Sequence, residues 1–138
     1  MKENYLKGFD GTAKLLQKFR NLVEKCDKEL LIILEQNEME IFHFGFRWIY
    51  CLLLREFPFF LSTKLMDYYL VQDINPGILA VYFSTALLLK YSFRIKFMKR
   101  EDIIMFLQSL PTSHWGEQDI RLLVSEAMTL KSIFKTLD

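Results

Sequence analysis

Between Glu40 and Phe57 the chain places apolar side chains on nearly every side of a helix: Ile41, Phe42, Phe44, Phe46, Trp48, Ile49, Leu52, Leu53 and Leu54. A helix without a wet face has to be surrounded by others. The pattern therefore predicts a central helix over 40–57, ended or kinked by Pro58. Surrounding helices are legible on both sides of it. Leu15, Leu16, Phe19, Leu22, Val23 and Cys26 recur at three- and four-residue intervals, the stripe of an amphipathic helix starting near Asp10-Gly11-Thr12. Further helices are expected over 28–36, 59–72, 101–110 and 117–137, and Asn75-Pro76 reads as the cap and first turn of one reaching Tyr91. Five glycines and three prolines are too few for the turns of an all-β domain. The expectation is an all-α orthogonal array of about seven helices, with no linker long enough to divide it.

Charge narrows the function. Eighteen Lys and Arg against seventeen Asp and Glu leave a formal charge of +1, which is not the one-signed field of a nucleic-acid binder. No transmembrane span is expected, because the longest uncharged stretch, 74–89, contains Asn75, Pro76 and Gly77 and is shorter than the ~18 apolar residues a span needs. Residues 1–11 lack the apolar segment of a cleavable signal. Cys26 and Cys51 stand alone within apolar patterns and read as reduced core residues, consistent with a cytosolic chain.

Charged groups inside apolar helices are the most informative side chains, because burial without a partner is costly. Arg47, Arg55, Glu56 and Asp67 qualify. A catalytic or phosphate-binding arginine is one reading. The favoured one is structural: the groups pair internally, at least one arginine bridges Glu56 or Asp67 in bidentate fashion, and the pairs lock the third helix against the fourth. His43, among Phe42, Phe44 and Phe46, reads as a packing histidine, and His114 as solvated in the turn after Pro111. No phosphate loop, nucleophile elbow, carboxylate dyad or metal-ligand spacing can be assembled.

The run Phe44-Gly45-Phe46-Arg47-Trp48-Ile49, continued by Leu52-Leu53-Leu54-Arg55-Glu56-Phe57, resembles the F-x-F-R-W and L-L-x-R-E-F signature of the TBC domain of Rab GTPase-activating proteins. The family's W-D-x-Y-L appears as Met66-Asp67-Tyr68-Tyr69-Leu70, with Met66 in the tryptophan position. Phe106-Leu107-Gln108, Pro111, Trp115, Asp119-Ile120, Leu122-Leu123 and Ala127 are similar to its closing series. Asn4-Tyr5, Gly8 and Gly11 resemble its N-Y-x-x-G loop. Within the family the likeness is greatest to the Golgi-associated group related to yeast Gyp proteins.

The resemblance implies a C-terminal helical lobe spanning 1–138, part of an activator of Rab-family small GTPases. Its catalytic fingers, an arginine in I-x-x-D-x-x-R and a glutamine in Y-x-Q, belong to the N-terminal lobe of such domains. No Ile here has Asp three residues on, and no Tyr has Gln two residues on. The chain alone is therefore expected to be inactive and not itself an enzyme, with no catalytic, cofactor-binding or metal residue; GTP and Mg would arrive with the GTPase. Phe44, Phe46, Arg47, Trp48, Arg55, Glu56, Asp67 and Trp115 are expected as structural signature positions, with Phe46, Trp48, Arg55, Asp67 and Trp115 in the core. The partners implied are a Rab-family GTPase and the N-terminal lobe. The location implied is cytoplasmic, peripheral at Golgi or vesicle membranes. A lobe that packs on another should also expose an apolar patch or cover it by self-association. The alternative reading is a non-catalytic helical scaffold that binds a small GTPase or another helical protein.

Overall fold

A computed structural model describes the backbone of residues 2–134 and the side chains of residues 11–134. Among the described residues the chain is all-helical: α1 (Lys2–Cys26), α2 (Lys28–Gln36), α3 (Ile41–Tyr50), α4 (Phe59–Val71), α5 (Pro76–Lys90), α6 (Ser92–Lys96), α7 (Arg100–Gln108) and α8 (Glu117–Phe134). This is one helix more than expected. The addition is α6, a five-residue turn too short to carry a periodic stripe.

The central helix is α5, and not the 40–57 segment. Leu79 to Leu88 are all buried, and α1, α3 and α8 pack around them. Of its two small interior polar residues, Ser84 and Thr85, the latter donates its hydroxyl to the Val81 carbonyl 2.8 Å away. The start was legible: Asn75 caps the helix by accepting from the Gly77 amide at 2.7 Å, with Pro76 in the first turn.

α3 is a peripheral helix with one buried face. Ile41, Phe44, Gly45, Trp48 and Ile49 point inward, whereas Phe42, Phe46 and Tyr50 are exposed at four-residue spacing. The inward side is set by aromatic packing. Trp48 is 0% exposed, its ring centroid 4.9 Å from that of Phe44, and Phe19 of α1 lies against both. Gly45 permits that approach, since a Cβ there would lie 3.1 Å from the Leu16 methyl and the Phe19 ring.

Helix ends account for the remaining differences. α1 runs through Asp10-Gly11-Thr12 instead of starting there, and the segment compared with a loop, Asn4 to Gly11, lies within it. α2 follows expectation. Asp27 caps it by accepting from the Leu30 amide, and the Glu38 amide to Glu35 carbonyl and Met39 amide to Leu34 carbonyl bonds close a Schellman turn. Glu38, at φ 57°, holds the left-handed position usually given to glycine. α8 opens where the Asp119 carboxylate accepts from the Gly116 amide at 2.8 Å; residues 135–137, expected in this helix, lie outside the described residues.

Candidate functional site

Two of the signature residues, Arg47 and Glu56, meet at the turn that follows α3. α3 stops at Tyr50 through a second Schellman arrangement: the Leu52 amide bonds the Ile49 carbonyl at 3.1 Å, and the Leu53 amide bonds the Trp48 carbonyl at 2.7 Å. Leu52 and Leu53 take φ values of 54° and 63°, a left-handed pair that costs non-glycine residues about 1–2 kcal/mol each. The chain thereby reverses and presents Glu56 to Arg47.

Arg47 engages Glu56 in a bidentate pair, Nε to Oε2 at 3.2 Å and Nη2 to Oε1 at 3.0 Å. Nη2 also donates to the Leu107 carbonyl at the end of α7, 2.8 Å away. The Glu56 side chain is only 5% exposed and that of Arg47 34%. Removing either partner would leave the other's charge uncompensated in a largely enclosed site. The expected bidentate bridge is therefore present, but it ties the turn after α3 to α7 instead of locking α3 on α4.

The turn leaves backbone carbonyls outside the helical ladder, and side chains from distant segments satisfy them. Tyr69 Oη donates to the Leu52 carbonyl at 2.9 Å, and Ser62 Oγ donates to those of Leu54 at 2.6 Å and Phe57 at 3.3 Å. Thr112 Oγ1 donates to the Glu56 carbonyl. Burial pushes the Tyr69 phenol well above its ordinary range, so it remains a proton donor at any working pH. Ser62, Tyr69, Leu107 and Thr112 are members of this node that the sequence reading missed. They lie 5 to 60 residues from their partners, across helix boundaries that a periodic spacing does not bridge.

Beside the node lies a groove of about 630 Å³, lined by Arg47, Arg55, Glu56, Gln108, Ser109 and Thr112 among others. Arg55 is exposed on it and makes no ion pair among the described residues. Arg47 has two of its three guanidinium nitrogens committed to Glu56 and Leu107. It is thus held as a strut and is not free to reach into a reacting group.

Other expected positions separate. Phe44 and Trp48 are core residues, and Trp115 is half-buried, its ring 5.3 Å from that of Phe57 and beneath the Lys90 ammonium. Phe46, Arg55 and Asp67, expected in the core, are exposed. Phe46 turns outward because α3 is peripheral, and its ring stacks on that of Tyr50 at 5.5 Å. Asp67 faces a different groove, of about 300 Å³, shared with Lys64, Glu117 and Arg121. His43 is also exposed, on the wet face of α3, and His114 is exposed as expected. Met66 sits on the outer side of α4, where it lines a surface groove of about 450 Å³ with Leu54 and Phe59.

Cys26 and Cys51 are free and half-buried. Burial and the neighbouring Asp27 charge push the Cys26 thiol up, away from thiolate chemistry. Among the described residues no group of three or more His, Cys, Asp or Glu could hold a metal ion, and no helix is long and apolar enough to cross a membrane.

The chain is similar to known proteins over most of its length. GTPase-activating protein gyp1 of Schizosaccharomyces pombe is 31% identical over 135 residues, 97% of this chain and 26% of that protein. Human TBC1 domain family member 22B is 33% identical over 137 residues, 97% of this chain and 27% of that protein. The crystal structure of the Ypt/Rab-GAP domain of Gyp1p superposes with a TM-score of 0.87 at 32% identity, covering 92% of this chain and 39% of that one. The chain thus spans about a quarter of the length of these curated relatives. The sequence profile of the Rab-GTPase-TBC domain matches residues 1–98, which include the Arg47 to Glu56 turn. On this match, the chain belongs to the Rab-GTPase-TBC domain family.

Proposed function

We propose that residues 1–138 act as the C-terminal helical lobe of a Rab GTPase-activating domain, bracing the lobe that carries the fingers and completing part of the surface that receives the GTPase. The observation that carries this reading is the state of Arg47. The signature arginine is committed to Glu56 and the Leu107 carbonyl, as suits a group that shapes a surface and not one that enters a partner's active site. The sequence contains neither I-x-x-D-x-x-R nor Y-x-Q. An arginine finger can supply roughly 10³–10⁵ in rate, so the chain alone is inert by this account. GTP and Mg come with the Rab-family GTPase, and the site of action is the cytosolic face of a membrane, in keeping with Golgi or vesicle traffic.

Single-turnover hydrolysis by a GTP-loaded Rab protein tests it. The expected result is no acceleration by the 138-residue chain, and acceleration when its sequence is joined to a finger-bearing TBC lobe. Acceleration by the chain alone would overturn the assignment. Failure of the joined protein while the chain still binds the GTPase would favour the non-catalytic scaffold.

A further inference from the structure

The segment 90–100, Lys-Tyr-Ser-Phe-Arg-Ile-Lys-Phe-Met-Lys-Arg, gathers Lys90, Arg94, Lys96, Lys99 and Arg100 with no acidic residue, in a chain whose formal charge is only +1. It includes α6, the helix absent from the periodicity. Ile95 is fully buried and Ser92 nearly so, and Ser92 Oγ donates to Asp27, which pins α6 to the start of α2. That anchoring turns Phe93 and Phe97 outward. They are 75% and 78% exposed, four residues apart, with ring centroids 5.1 Å from each other. Two large aromatics side by side in water are an apolar surface that lacks a partner.

The cations around this pair divide into two kinds. Lys90 reaches Glu126, Lys96 reaches Asp27 and Glu29, and Arg100 reaches Glu38. Arg94 and Lys99 are exposed and make no ion pair among the described residues; Arg94 lies over the Tyr91 and Phe106 rings. Glu101 and Asp102 follow in the first turn of α7, where the helix dipole favours them. Exposed phenylalanines and cations without an ion pair among the described residues, carried on a short anchored helix and the turn after it, have the chemistry of an interfacial anchor: rings that enter the headgroup boundary, and charges that meet anionic lipid.

We propose that the surface formed by α6 and the turn after it, through Phe93, Phe97, Arg94 and Lys99, is a docking site for an anionic lipid bilayer. It is independent of the GTPase reading, because it uses none of the signature residues. Charge complementarity selects lipid over a second copy of the chain: a copy would bring its own unpaired cations against these in a symmetric contact. Each cation near an anionic surface contributes about a fivefold gain in partitioning, and the two rings add apolar insertion.

Flotation of the 138-residue chain with vesicles tests this. Phosphatidylcholine vesicles containing roughly a third phosphatidylserine are expected to carry it, whereas pure phosphatidylcholine or high salt releases it. Phe93→Ser with Phe97→Ser, and separately Arg94→Glu with Lys99→Glu, are each expected to reduce binding about tenfold or more, with the helical circular-dichroism signal and melting midpoint retained. Absence of binding to the anionic vesicles would overturn the proposal, as would binding unchanged by either pair. Concentration-dependent dimerisation abolished by the phenylalanine pair would assign the face to a second copy.

Discussion

Arg47 and Glu56 meet in a bidentate ion pair because the helix bearing the arginine stops between them. Nine residues along a continuous helix advance by two and a half turns, which would set the two side chains on opposite faces about 13 Å apart. The left-handed Leu52 and Leu53 convert that separation into contact.

Removing one partner should therefore cost more than removing both. Arg47→Met is expected to destabilise by about 2–3 kcal/mol, below the 3–5 kcal/mol of a fully buried pair because the arginine is partly exposed. The double variant Arg47→Met/Glu56→Leu should recover part of that loss, and Asp67→Asn should stay within about 0.5 kcal/mol of the parent. Urea denaturation of the four proteins reads this; equal midpoints for Arg47→Met and parent would contradict the pairing.

The hydroxyls that serve the turn should matter despite their distance from the ion pair. Tyr69→Phe takes the donor from one turn carbonyl and Ser62→Ala from two, at a cost of about 1–2 kcal/mol per variant. Thermal melts of both variants check it. A Tyr69→Phe protein as stable as the parent would mean that the Leu52 carbonyl finds another donor.

At the end of α2 the expected effect is stabilising. Glu38 is exposed and left-handed, and glycine there relieves about 1–2 kcal/mol of backbone strain while restoring some freedom to the unfolded chain. Its ion pair with Arg100 is exposed on both sides and offsets little. Glu38→Gly is expected to gain about 0.5 kcal/mol net, seen as a higher urea midpoint. A lower midpoint would show that the Arg100 contact outweighs the strain.

Acid should weaken the junction between α2 and α6. Burial raises the Asp27 carboxyl, but hydrogen bonds from Ser92, Lys96 and the Leu30 amide, with the Lys96 charge, outweigh it and hold the group below its usual range. The contribution is therefore complete above the unfolded carboxyl pKa of about 3.9 and is lost as pH falls through the lower folded value. Asp27→Asn keeps a capping side chain but gives up the charge. Its melting midpoint is expected to lie below the parent's at neutral pH and to converge on it in acid; a gap that persists or widens in acid would contradict this origin.

Local signals in the sequence located α2, α4, α5, α7 and α8 well, because each begins or ends at a cap, a proline or a stripe. What failed was the ranking of helices by greasiness. The 40–57 segment is richer in aromatics than α5, yet α5 occupies the centre, since Ser84 and Thr85 are small enough to be surrounded and Phe42, Phe46 and Tyr50 are not all accommodated. The end of α3 was hidden for a related reason: leucines in the left-handed region carry no glycine to announce it. Of the candidate site, the Arg47 to Glu56 bridge was legible as charge within an apolar run. Its connections to Leu107 and Thr112 were not, being tertiary contacts with no trace in spacing.

Those two connections lie beyond residue 98, outside the part of the chain that the family profile matches. The Schellman end of α3 can form as soon as its own residues are helical, whereas the contacts that hold Glu56 in place must wait for chain some 50 to 60 residues downstream. Closing so long a loop is slow relative to making a helix. The two long-range ties of the signature turn are therefore expected to form late in folding, so mutations that remove them should accelerate unfolding and leave the folding rate almost unchanged.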